Sequence, residues 1–119
     1  MIKQVAFFVY PVTSMERSRQ FYEELLGLKY SGSFMDQGHW VEYDIHGVTL
    51  AISDKLPAPS GNGGGIAFEV DDLDDVYNRL VQQGVQSIYA PFDSPICRGA
   101  VLADPDGNTI GLHQFKTSD

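Results

Sequence analysis

The sequence predicts an α+β fold of two tandem βαβββ modules, and three internal matches predict it. Val5-Ala6-Phe7-Phe8-Val9 is echoed by Ile66-Ala67-Phe68-Glu69-Val70 at a spacing of 61. Leu26-Gly27-Leu28 is echoed by Gln83-Gly84-Val85 at a spacing of 57, and Gly47 to Ser53 by Gly107 to His113 at a spacing of 60. Matches that keep the same order at nearly constant spacing mark a duplicated structural unit.

Each module opens on a short run rich in β-branched and aromatic residues, Val5 to Val9 and Ile66 to Val70, which reads as a strand. Thr13-Ser14-Met15-Glu16 follows the first as a capping box, with Thr13 as the expected helix cap. Met15, Ser18, Phe21, Tyr22, Leu25 and Leu26 then fall on one helical stripe, and Gly27 supplies the stop. In the second module Asp71 or Asp72 caps a helix whose stripe is Leu73, Val76, Tyr77 and Leu80, with Gly84 at its end. Each helix leads into a weaker strand and then a hairpin. The hairpins turn at His46-Gly47 and at Asp104-Pro105-Asp106-Gly107. The stretch from Asp54 to Gly64 is a Pro/Gly/Ser linker.

These elements divide a single domain, residues 1–119, into module 1 over about 1–53, a linker over about 54–64 and module 2 over about 65–119. Half-domains of about 55 residues bury too little surface to stand alone, so the two share one fold. A composition of 43% hydrophobic and 20% charged residues suits a globular core. The net charge of −8 opposes nucleic-acid binding, which depends on cationic contacts to phosphate. The longest apolar run, Val5 to Tyr10, is too short to span a bilayer, so no membrane association is expected. One cysteine, Cys97, cannot form an internal disulfide, which points to the reducing cytoplasm. Its thiol reads as small filler at a strand start. The glycines of Gly61-Asn62-Gly63-Gly64-Gly65 read as linker, because no helix or lysine follows them as in a phosphate loop.

Strand alternation separates the face packed under each helix from the face turned to a cleft. Val5, Phe7 and Val9 are expected under the first helix, with Gln4, Ala6 and Phe8 facing the cleft. A two-residue turn at His46-Gly47 pairs Ile45 with Val48, so Trp40, Glu42, Asp44, Thr49, Ala51 and Ser53 share the cleft face. In the second module Ile66, Phe68 and Val70 face the helix, and Gly65, Ala67 and Glu69 the cleft. By the repeat, Arg98, Ala100, Leu102, Thr109, Gly111 and His113 are expected there too.

Arg17-Ser18 with Phe21-Tyr22, Leu26-Gly27-Leu28, Asp104-Pro105-Asp106-Gly107-Asn108 and the duplicated layout together resemble the glyoxalase/bleomycin-resistance/extradiol-dioxygenase family, the vicinal oxygen chelate superfamily. The resemblance covers essentially the whole chain. It implies curved mixed sheets enclosing a cleft, helices outside, and a homodimer. Members include metal-dependent lyases, isomerases and dioxygenases, beside metal-free proteins that sequester a drug, so fold alone does not choose the function. Metal-dependent members use four His, Gln or Glu ligands on the first and last strands of each module. Carried over, these positions fall on Gln4, Ala51, Gly65 and Gly111. An alternative alignment puts the first at Phe7, which the alternation assigns to the core. Gln4 alone cannot hold a catalytic metal ion, so no metal and no cofactor is expected.

The expected function is metal-independent binding of a small molecule, a cationic and partly aromatic compound, in the cleft. Its expected contacts are Phe8, Trp40, Glu42, Asp44, Ser53, Glu69, Arg98, Leu102 and His113, because aromatic faces and carboxylates suit such a guest. The alternative is a lyase, isomerase or dioxygenase-like enzyme. It would use either a displaced metal at Glu42, Glu69 and His113, or His113 and Glu69 as an acid–base pair.

Overall fold

The computed structural model describes residues 1, 3–34, 38–56 and 65–116. Two compact units, Met1–Ser60 and Gly61–Asp119, divide the chain. The expected linker lies, from residue 57 onward, outside the described residues. In unit 1 the order is β1 (Phe8–Pro11), α1 (Met15–Arg19) running into a π-helical segment (Gln20–Leu25), β2 (Lys29–Phe34), β3 (Trp40–Ile45) and β4 (Val48–Ser53). Unit 2 repeats it as β5 (Ile66–Glu69), α2 (Leu73–Gln82), β6 (Gln86–Asp93), β7 (Cys97–Ala103) and β8 (Thr109–Phe115). Each unit is one mixed four-stranded sheet, ordered β1-β4-β3-β2 and β5-β8-β7-β6. Its first strand runs parallel to its last, and the other pairs are antiparallel.

The helix starts fix the true repeat. Ser14, not Thr13, caps α1, its hydroxyl accepting from the Arg17 amide at 3.2 Å. Asp72 does the same for α2, accepting from the Asp75 amide at 3.1 Å. Ser14 and Asp72 are 58 positions apart, and so are the starts of β1 at Phe8 and β5 at Ile66. The spacing of 61 read from the sequence matched the wrong members of two apolar runs. The first strand accordingly begins at Phe8 rather than Val5.

That shift inverts the faces of β1. Tyr10 opposes Ile52 and Phe8 opposes Leu50, whereas Val9 opposes Ala51. Opposed residues share a face. Tyr10, Leu50 and Ile52 are buried on the helix side with Phe21, Tyr22 and Tyr43. Tyr22 stacks on Tyr43 with ring centroids 6.0 Å apart. Behind them Arg19 grips Glu23 at 2.6 Å, and the Tyr43 hydroxyl donates to the same Glu23 oxygen at 2.9 Å.

The hairpins differ in a way that decides side-chain direction. His46 and Gly47 both have positive φ, 50° and 87°, so the first is the expected two-residue turn, with Ile45 opposite Val48. The second runs from Ala103 to Thr109 across five residues, Asp104 to Asn108. The Asp104 carboxylate organises it, accepting from the amides of Asp106 (2.9 Å) and Asn108 (2.8 Å) and from the Asn108 side chain (2.8 Å). Three extra loop residues reverse which residues of β7 face the helix.

Candidate functional site

The face of each sheet away from its helix carries most of the residues expected at the site. In unit 1 it carries Trp40, Glu42 and Asp44 on β3, opposite Ser53, Ala51 and Thr49 on β4, as expected from the turn. The Phe7 ring meets Trp40 edge-on at 5.4 Å. The indole N–H donates to the Glu42 carboxylate at 2.9 Å. Glu42 and Trp40 are half-buried and Asp44 is exposed, while Ala51 and Ser53 are fully covered. The Ser53 hydroxyl accepts from the Lys55 amide at 3.2 Å, which fixes it as part of the strand end. Phe8 is not on this face. It follows Leu50 on the helix side, a consequence of the shifted start of β1.

In unit 2 the corresponding face carries Glu69 and Ala67 on β5, His113 and Gly111 on β8, and Gly99 and Val101 on β7. The His113 ring nitrogen Nδ1 lies 2.6 Å from Glu69 Oε1, and the Phe115 amide donates to Glu69 Oε2 at 2.7 Å. The bond to His113, and after it the Phe115 N–H, hold the Glu69 carboxyl below the usual carboxylate range. Phe115 meets the imidazole edge-on at 4.5 Å. The structure thus brings together Glu69 and His113, expected as a pair. Glu42, the third member of the displaced-metal alternative, belongs to unit 1. Among the described residues no three His, Cys, Asp or Glu side chains gather as a metal site.

Arg98 and Leu102 leave the site. Arg98 opposes Gln114 and Leu102 opposes Ile110, so both face α2, because the five-residue loop reverses the parity carried over from the first hairpin. Leu102 is fully buried. Arg98 donates to Asp74 at 2.6 Å and Gln114 accepts from the Leu73 amide at 2.8 Å, so both clamp the first turn of α2. The residues that sequence reasoning missed are Gly99 and Val101, together with Phe92 and Tyr89 on β6, which oppose them. The irregular register of β6 hides them from an alternation count. The length of the Asp104–Asn108 loop was the signal that could have placed β7.

The metal positions implied by the resemblance can be tested on this geometry. With the repeat at 58, the counterpart of Gly65 is Phe7, not Gln4, which stands ahead of β1. Phe7, Ala51, Gly65 and Gly111 carry no side-chain donor. At two of them a side chain would also be crowded. A Cβ on Gly65 would run into Thr109 Oγ1, with the Thr109 carbonyl oxygen 3.1 Å away. A Cβ on Gly111 would meet Ala67 Cβ at 3.0 Å and Cα at 3.2 Å. The residues present do not fit the group. Cys97 opens β7 at the end of a tight turn, its thiol 3.3 Å from Ser94 Oγ, which also bonds the Cys97 main chain.

The sequence profile of the Glyoxalase/Bleomycin resistance protein/Dioxygenase superfamily matches residues 4–112. Among solved structures, TnmS3, an antibiotic binding protein from Streptomyces sp. CB03234, is 33% identical with a TM-score of 0.81, over 97% of this chain and 98% of that one. A glyoxalase/bleomycin resistance protein from the same Streptomyces is 33% identical with a TM-score of 0.76, over 91% and 97%. Among curated proteins, the virulence protein STM3117 of Salmonella typhimurium is 22% identical over 126 residues, covering 97% of this chain and 86% of that protein.

Proposed function

The chain belongs to the Glyoxalase/Bleomycin resistance protein/Dioxygenase superfamily, and from that premise we propose that it binds a small molecule without a metal. The proposed ligand is a cationic, partly aromatic compound, held on the helix-free sheet faces that the sequence assigns to the inter-module cleft. One observation carries this most directly: the four metal positions hold no donor atom, while the same faces present Trp40, Glu42 and Asp44. An aromatic face beside two carboxylates attracts an organic cation by stacking, cation–π contact and charge. The likeness at 33% identity to a protein described as antibiotic binding supports binding over turnover. A homodimer, expected by resemblance, and a cytoplasmic location, expected from the single cysteine, belong to the same proposal. No helix among the described residues is long and apolar enough to cross a membrane.

A thermal-shift screen tests the proposal. A true ligand raises the melting temperature by mass action. N-methylquinolinium, a flat aromatic cation, is expected to raise it with concentration, whereas nickel, zinc, manganese and ferrous ions are expected to leave it unchanged. Stabilisation by one of these metals, with about one metal ion per chain by elemental analysis, contradicts the proposal.

A second reading, acid–base chemistry without a metal, is favoured by the 2.6 Å contact of Glu69 with His113. A carboxylate that orients an imidazole is the arrangement of a general base. Binding alone requires nothing beyond the surface already described.

A further inference from the structure

One row crosses the sheet of unit 2 in register: Glu69 on β5, His113 on β8, Gly99 on β7 and Phe92 on β6. At its head the Glu69 carboxylate is fixed at both oxygens, by His113 and by the Phe115 amide. An ionised carboxylate only accepts hydrogen bonds, so Nδ1 of His113 carries the proton. In the neutral imidazole the other nitrogen, Nε2, then holds the lone pair. Nε2 has no hydrogen-bond partner among the described residues, and the His113 side chain is 31% exposed. At the tail of the row the Phe92 ring lies over Gly99, where a Cβ would stand 2.5 Å from Cζ. In the next row Ala67, Gly111 and Val101 form a shelf of small side chains, which ends at Tyr89 of β6 opposite Val101. A flat ring fits such a shelf, with the aromatic ring of Phe92 and the imidazole along one border.

We infer that His113 Nε2 is the acceptor for a hydroxyl group on a planar aromatic ligand, of the phenol class, that lies on the Ala67–Gly111–Val101 shelf. The inference rests on the small-molecule reading above and adds the group that the ligand must carry. Glu69 is a positioning residue here: it sets the tautomer, and His113 makes the contact.

The test compares 2-naphthol with 2-methoxynaphthalene, which keeps the rings and loses the donor. Dissociation constants are measured by equilibrium dialysis at pH 8 on the full chain. The wild-type protein is expected to bind the naphthol about tenfold more tightly, since an acceptor left unpaired in the complex is costly. His113→Phe should bind both compounds alike, at the weaker constant, and Glu69→Gln should narrow the preference. Equal affinities in the wild-type protein overturn the inference and leave the small-molecule reading intact. An undiminished preference in His113→Phe overturns it as well. If neither naphthalene binds while N-methylquinolinium still stabilises the fold, only this inference falls. If none of the three binds, both fall together.

Discussion

Glu23 shows how a single side chain ties sequence to stability. Its carboxylate accepts from Arg19 at 2.6 Å and from Tyr43 at 2.9 Å, and its side chain is 26% exposed. The Arg19 bond, then the Tyr43 hydroxyl, hold its carboxyl below the ordinary value of 4.5, outweighing the opposing effect of burial. Burial, reinforced by the same carboxylate, pushes the Tyr43 phenol up. Because the folded pKa of Glu23 is depressed, its stabilisation is present in full above the ordinary value and is lost as pH falls through the depressed one. Glu23→Gln is expected to cost about 1 kcal/mol at pH 7, with the gap to the wild type closing as pH falls below the ordinary carboxyl value and through the depressed one. Urea denaturation of both proteins across that range checks it, and a gap independent of pH would show that packing, not charge, is lost. None of this network was legible in the sequence. Arg19 and Glu23 stand four apart on a helix, a common surface spacing, and only the tertiary position of Tyr43 makes the pair matter.

At the scale of elements, the two hairpins explain what could and could not be read. His46-Gly47 has the residues of a two-residue turn, and every cross-strand pair of β3 and β4 inferred from it is present. Gly27 and Gly84 were expected to end the helices in left-handed conformation, and their φ angles are 72° and 91°. The faces of β1 and β7 were misread for one physical reason. A strand has a period of two, so any odd error in register or loop length turns every side chain over. The internal spacing drifts from 58 at the helix starts to 60 at Gly47 and Gly107, so one module is no ruler for the other. The π-helical turn at Gln20–Leu25 left no trace in the apolar stripe, which fits an α-helix equally well. The Asp104 loop makes a prediction at this scale. Asp104 is 4% exposed, and its carboxylate accepts from the Asp106 amide and from both the amide and the side chain of Asn108. Asp104→Ala leaves those donors without their acceptor and should cost roughly 2 kcal/mol or more, whereas Asp104→Asn, which keeps one carbonyl oxygen, should cost less. Denaturation midpoints that order the two variants the other way would show that the loop is held by something else.

For the molecule as a whole, fold class was the most legible property and the site the least. A duplicated βαβββ order survives an error of a few residues in spacing, since apolar runs, caps and glycines identify elements whatever their exact bounds. A binding face does not survive it. Trp40, Glu42, Asp44, Glu69 and His113 lie on the sheet faces that alternation assigned them, because each stands on a strand whose register was right. Phe8, Arg98 and Leu102 failed with their strands. The position assigned to Gln4 moves to Phe7, whose side chain has no donor atom. The net charge of −8 fits a guest of opposite sign without locating it.

The most direct test of metal-free binding uses the chain's single tryptophan, Trp40, whose fluorescence therefore reports on one face alone. Protein treated with a chelator is titrated with N-methylquinolinium, and the emission is followed to saturation. Quenching is expected to saturate at one site per chain and to be indifferent to the chelator. Glu42→Gln is expected to weaken it by roughly tenfold to a hundredfold with little change in stability, as removing one partner of a charged contact does. Quenching that rises linearly without saturation, or that disappears with the chelator and returns with added metal, contradicts metal-free binding at this face.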